Sequence, residues 1–499
     1  MSGIRVTYSG LISFVVRLTS ILTGIVFTLI VTRQLTEQEF GSWSLIGSLI
    51  TYIILVESII SYWTTREVAR GTESGRTALM TSGIFTIGAI FAYILIAYVV
   101  GEQSNADVEI LVFGVMLVPL MFIEQTLKGI NYGWKPHVNS YAFLAFEISK
   151  IPVALIFIII LDFGVKGAII ATAFAYLASV IILSFYVRER IKNPFKKEFV
   201  KKWFKLSWLP LYRAIPTTVF LSDVVIFSII TGSVVGIAYI TTARTITNLV
   251  THTFAISRGV YPKLLEGGKQ EYFQENLMRV LYFAIPFFAI SVTFARPALF
   301  ALNPIYEIAV PIVLILSPRA FLITLNKTFY GALQGIEKVD TKEEATFKEY
   351  VKSKLFLIPT VRIIQYSVYV LFLAVGLYLM IGTESTQLDL VMYWAIIGIA
   401  TEIPFFIFYI IMVRKSFTIN LDVKSLVKYA LTTLLIFSVV YFAMEEFLVY
   451  EESIFQFLPN LLLYVSLAGA GYIGITYVID KRIKVLINAI VKEVVIKRK

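Results

Sequence analysis

Fourteen apolar stretches of about twenty residues, separated by short polar turns, constrain this chain more than any other feature. A run of that length crosses the hydrocarbon of a bilayer as an α-helix, because no water is there to satisfy a backbone N–H or C=O left open. The expected spans are 8–32, 41–62, 79–100, 110–127, 140–161, 165–187, 207–231, 235–256, 280–302, 307–330, 355–379, 390–413, 429–446 and 458–479. The first is too long for the apolar region of a signal peptide. Arg17 interrupts it and no small-residue cleavage site follows, so it is expected to stay as a span. Composition agrees: 58% of residues are hydrophobic and 15% charged, and the mean hydropathy is +0.80. An ordinary soluble enzyme, with about a quarter of its residues charged, is excluded, and so is a disordered chain. The 39 Phe and 28 Tyr supply rings for the two interfacial belts.

Lys and Arg give the orientation. With the N-terminus inside, cytoplasmic segments hold 34 of the 44 cations, eight of them between Arg188 and Lys205 and seven between Lys481 and Lys499. The outer turns hold only Arg33, Lys166 and Arg296. Both termini are therefore expected in the cytoplasm of a multi-pass protein of the cell membrane. The formal charge of +11 then reflects topology and contact with anionic lipid, not nucleic acid. No cysteine is present, which excludes disulfides, thiolate metal sites and cysteine nucleophiles; with two histidines, no metal or other cofactor is expected. No loop is long enough to fold alone. The longest, 336–354, mixes Glu and Lys as a solvated linker does, and the tail 481–499 has helical apolar spacing suited to the inner membrane surface.

Seven cations fall inside spans: Arg17, Lys150, Arg213, Arg244, Arg319, Lys327 and Arg362. Each costs roughly 2.5–3.5 kcal/mol on insertion scales, so it must face the bundle interior, a partner or water. At 100° per residue, Ser9, Ser13, Ser20, Gly24, Thr28 and Thr32 share one stripe with Arg17. Small residues alone would mark helix packing, but a central Arg points to a wetted cavity wall. Span 8 repeats the pattern, with Thr241, Asn248, Thr251 and His252 on the side of Arg244; His252 itself reads as structural. Asp223 and Arg244 lie roughly 12 and 14 Å from the outer end of their spans and could pair. Glu147 and Lys150 are one turn apart, and Glu402 could answer Arg319 or Arg362. Glu57, Asp223, Glu402, Arg319 and Arg362 are candidate ion-coupling groups or charge partners. Pro210, Pro216, Pro311 and Pro318 mark helices that can kink.

A faint repeat divides the chain. Leu127-Lys128-Gly129-Ile130 and Leu333-Gln334-Gly335-Ile336 each close a span before a polar turn, six spans apart; Phe40-Gly41 and Val235-Gly236 open spans six apart. The expected organisation is a lobe of six helices over 1–190, a second over 191–415, two added helices over 416–480 and a basic cytoplasmic tail over 481–499.

The turn Thr32-Arg33-Gln34-Leu35-Thr36-Glu37-Gln38-Glu39-Phe40-Gly41-Ser42-Trp43-Ser44-Leu45, with Asp223 followed by Gly232-Ser233-Val234-Val235-Gly236-Ile237-Ala238-Tyr239, resembles the oligosaccharide-lipid flippase (Wzx-type) branch of the multidrug/oligosaccharidyl-lipid/polysaccharide exporter superfamily. The likeness covers nearly the whole chain and departs at the long loop 336–354. It implies an all-α polytopic membrane fold of 14 transmembrane helices, with a V-shaped pair of six-helix lobes and helices 1, 2, 7 and 8 around a cavity. It implies a transporter, not an enzyme, that flips a polyprenyl-(pyro)phosphate-linked oligosaccharide to the outer leaflet by alternating access in polysaccharide biosynthesis. Its partners would be that anionic lipid-linked substrate, membrane lipids and glycan polymerases or glycosyltransferases. The residues supply the cationic interior: Arg17 and Arg244 as the main anion-binding surface, Arg213 as a first contact from the cytoplasm, and Ser13, Ser20 and Asn248 as polar lining. Alternatives are a cation-coupled multidrug exporter, which would favour an acidic cavity, a flippase for a lipid II-type cell-wall precursor, and a membrane glycosyltransferase, which lacks its acid or metal constellation here.

Overall fold

The structure, a computed structural model, describes residues 23–259, 264, 270–337, 339, 347–418 and 421–496. These are almost entirely helical, without a strand among them, and make an all-α polytopic membrane fold. Eleven helices are long and apolar enough to cross a bilayer. The pair Glu37–Ile54 and Glu57–Ala69, apolar enough when taken together, is bent by 57° as a broken span or a re-entrant loop, where a straight span 41–62 was expected. Of the other two expected spans, the first lies largely outside the described residues, with only 23–34 seen as helix. The eighth is the helix Val235–His252, whose threonines, Asn248 and Arg244 keep it below the apolarity of a lone span.

Two boundaries move for identifiable reasons. The ninth span, expected at 280–302, is the helix Gln270–Thr293, followed after Phe294 by the separate helix Ala295–Leu302. Pro297 has no N–H to give the carbonyl of Thr293, which weakens the helix at the point where it breaks. The fourth span does not end at 127: the helix Leu117–Trp134 runs on for two further turns. Its polar residues are held from within. Asn131 Nδ2 donates to the Leu127 carbonyl at 3.0 Å and Lys128 pairs with Glu124 one turn back. The helix stops at Lys135, the residue before Pro136, where proline disfavours helical geometry. Leu127-Lys128-Gly129-Ile130 is therefore helix interior, whereas Gly335 does close the helix Val310–Gly335.

The described chain divides into two compact units: Met1–Ala238 with Tyr366–Leu390, and Tyr239–Gln365 with Val391–Lys499. In the first, Thr36 opens the helix Glu37–Ile54 with a capping box: its Oγ1 accepts from Glu39 N at 3.3 Å while its own N–H donates to Glu39 Oε2 at 2.9 Å. One turn on, Gly41 lies against the Val234 carbonyl so closely that a Cβ would overlap it. Asn105 and Gly232 end the helices Gly75–Ser104 and Trp208–Thr231 in left-handed geometry, with φ of 48° and 60°, and Asn105 Nδ2 donates to the Gly232 carbonyl at 3.1 Å.

In the second unit, Tyr282, Tyr429 and Tyr472 form a buried cluster at which Ile483 docks. The tail helix Lys481–Ile496 thus places Ile483, Leu486 and Ile487 against protein rather than offering its whole apolar face to a lipid surface. Loop 336–354 lies largely outside the described residues.

Candidate functional site

In the first unit a glycine pair sets the geometry. Gly129 and Gly133, spaced as in a GxxxG motif, face the helix Glu57–Ala69. A Cβ at Gly129 would lie 3.0 Å from the Ser61 carbonyl oxygen, and one at Gly133 would lie 2.6 Å from that of Thr65. With the backbones this close, Thr65 Oγ1 donates to the Gly129 carbonyl at 2.9 Å. The two helices, together with the start of Trp208–Thr231, surround a cavity of about 330 Å³. Ser58, Ser61, Tyr62, Thr65, Gln125, Lys128, Tyr132 and Arg213 line it. Arg213 is exposed there and, among the described residues, forms no ion pair or hydrogen bond. Arg66 lies just outside the lining, its guanidinium 4.6 Å from the Tyr62 ring centroid. Hydroxyls and an amide supply small donors, and two cations supply charge; this is what an oxyanion requires.

Behind the wall lie acids. Glu57 is buried and accepts from Thr126 Oγ1 at 2.9 Å. Glu124, also buried, accepts from Ser179 Oγ at 2.8 Å on one oxygen and from Lys128 Nζ at 2.7 Å on the other. Glu147 pairs with Lys150 at 3.5 Å, and the Lys150 ammonium stands 4.3 Å from the Phe27 ring centroid. Three carboxylates in a membrane core are tolerable only because each is hydrogen-bonded or paired.

The other expected residues fall as follows. Arg17, Ser13 and Ser20 lie outside the described residues. Asp223 is buried and receives the Tyr369 hydroxyl at 2.8 Å. In the second unit, Arg244 stands 5.1 Å from the Trp394 ring centroid, and Asn248 is exposed one turn along the same helix. Glu402 accepts from Asn326 Nδ2 at 2.6 Å and from Gln365 Nε2 at 2.9 Å, all three buried. Arg319, also buried, packs its guanidinium on Gly398, one turn from Glu402, and Arg362 lies 5.2 Å from the Tyr330 ring centroid. Two larger cavities, about 630 and 860 Å³, contain none of these residues. Among the described residues expected at the site, Arg213 is the one that lines any of these three cavities.

Comparison with known proteins rests on the fold. No family model matches the sequence, and no curated protein matches it. The structure is similar to the lipid II flippase MurJ in an inward closed conformation, at a TM-score of 0.62 and 14% identity over 94% of this chain and 99% of that one. It is also similar to a multidrug resistance MATE family transporter of the MOP superfamily in its inward-facing conformation, at a TM-score of 0.60 and 16% identity over 80% of this chain and 98% of that one. The outward-facing form of such a transporter matches at a TM-score of 0.52 and 15% identity over 83% of this chain and 95% of that one. The chain thus has the fold of these membrane transporters.

Proposed function

We propose that the protein is a transporter that carries the phosphate or pyrophosphate head of a lipid-linked oligosaccharide across the membrane by alternating access. The observation that carries this reading is the cavity in which Arg213 and Lys128 stand among five hydroxyl side chains. A guanidinium offers paired donors at fixed angles and an ammonium offers a mobile point charge, a combination suited to a phosphodiester. Both cations would repel the cationic drugs of a multidrug exporter. The fold shared with MurJ and with MATE transporters supports transport, and lipid-linked phosphate chemistry is the part of that range that fits the cavity. Arg17 and Arg244 are proposed as further anion contacts.

The test is translocation of a fluorescent polyprenyl-pyrophosphate oligosaccharide in proteoliposomes made with purified, monodisperse protein. Arg213→Ala is expected to lower the rate at least tenfold, and Arg213→Lys to retain an intermediate rate. Near-normal translocation by a Lys128→Met, Arg213→Ala double variant with an unchanged melting temperature would refute the reading.

A further inference from the structure

The wall of the cavity contains an ion pair whose two partners are unequally exposed. Lys128 is partly exposed and lines the cavity, whereas its partner Glu124 is almost fully buried, with side-chain exposures of 23% and 2%. The Lys128 ammonium can swing on a four-carbon stem; the Glu124 carboxylate, fixed on its far oxygen by Ser179, cannot follow it. Resting on the anion-binding reading above, we propose that the incoming phosphodiester takes Lys128 away from Glu124 and that Glu124 takes up a proton from water in exchange. An O–H bond of a solvent hydronium ion breaks, leaving water, and one O–H bond forms on the oxygen that Lys128 vacates. Anion and proton thus enter together, and the loaded site gains no net charge.

Among the described residues, Lys128 is the one cation paired with Glu124. The helix Glu57–Ala69 brings Glu57, which is held by the Thr126 hydroxyl, and, in its last turn, Arg66, which lies over the Tyr62 ring. The helix Gly164–Val187 brings Tyr176, which lies near both Glu124 and Glu147. From the helix Val138–Ala154 come Glu147 and Lys150, already paired with each other. The helix Glu37–Ile54 carries Tyr52 in its last turn and Gly75–Ser104 carries Tyr93 mid-helix, the Tyr93 hydroxyl being given to the Leu111 carbonyl. Their Glu37, Glu39, Arg76 and Glu102 lie in the end turns. Arg213, from Trp208–Thr231, is on the cavity side with the ligand. A buried carboxylate stripped of its cation binds a proton rather than remain ionised.

The experiment uses the full chain in phosphatidylcholine nanodiscs and dihexyl phosphate, a phosphodiester that stays singly charged between pH 6 and 8, in weak buffer with a pH indicator. The wild type is expected to take up about one proton per dihexyl phosphate bound at pH 7, an amount lost in Glu124→Gln although the ligand still binds. Lys128→Met reports the same exchange independently: its Glu124 is protonated before the ligand arrives, so weakened binding with no uptake is expected. Binding to the wild type without uptake, or unchanged uptake in either variant, overturns the proton exchange and leaves the anion site standing. Absence of dihexyl phosphate binding to the wild type overturns both.

Discussion

The guanidinium of Arg319 occupies the space that a side chain at position 398 would fill. Gly398 is therefore not a gap in the helix Gln387–Ser416 but the floor on which a buried cation rests, one turn from the carboxylate of Glu402. A methyl group at this position must displace the guanidinium or the backbone. Gly398→Ala is expected to cost about 1–3 kcal/mol, the range for overpacking a filled core. Thermal unfolding in detergent checks it; an unchanged melting temperature would show that Arg319 has another place to go.

The glycine contact in the first unit makes a similar demand. Gly133→Ala brings a methyl group against the Thr65 carbonyl oxygen and Val68, and should destabilise by about 1–3 kcal/mol. Gly331→Ala is the control, because a Cβ there meets nothing within 4 Å. Equal melting temperatures for the two variants would contradict the close helix approach.

Asp223 and Tyr369 form a charge-assisted hydrogen bond in a buried setting. Tyr369→Phe should cost about 1–3 kcal/mol, since it withdraws a donor from a buried carboxylate. In Asp223→Asn the added loss from Tyr369→Phe should be smaller, and a double-mutant cycle with no coupling energy would refute the contact.

At the start of the helix Val423–Phe447, Asp422 caps the chain. The Ser425 backbone N–H donates to its carboxylate at 3.2 Å, the Ser425 hydroxyl adds a second bond, and Arg482 stands 3.3 Å away. These donors hold its carboxyl below the ordinary value of 3.8. A depressed folded value means the stabilisation is fully present above the ordinary value and is lost as pH falls through the folded one. Hydrogen exchange at the Ser425 amide, corrected for intrinsic rate, should therefore accelerate as pH drops below about 4. Asp422→Asn keeps a capping oxygen and should flatten that dependence; an identical pH profile in the variant would count against it.

Spans and their turns were legible because apolar length is a property of the chain alone. The kink at 55–56 and the break at Phe294 were less so, since they depend on where the chain must turn to pack. Arg213 was visible as a cation in an apolar run. Lys128 was missed for a definite reason: ending the fourth span at 127 put it outside the membrane, although Glu124 and Lys128 at i and i+4 carried the signal of a pair. Tyr369, Gln365 and Asn326 could not be read from the sequence, because they meet their carboxylates across helices far apart in the chain.

The glycines at 129 and 133 also decide how the cavity can be altered. Gly129 lines it and Gly133 holds the same two helices together one turn on, so the frame behind the lining is main chain lying on main chain. Exchanging Ser58, Ser61 or Gln125 re-tailors the lining while the frame stays in place. Selectivity for a larger or smaller head group is thus open to single substitutions at these polar positions, and a change at either glycine would remodel the helix pair instead of the specificity.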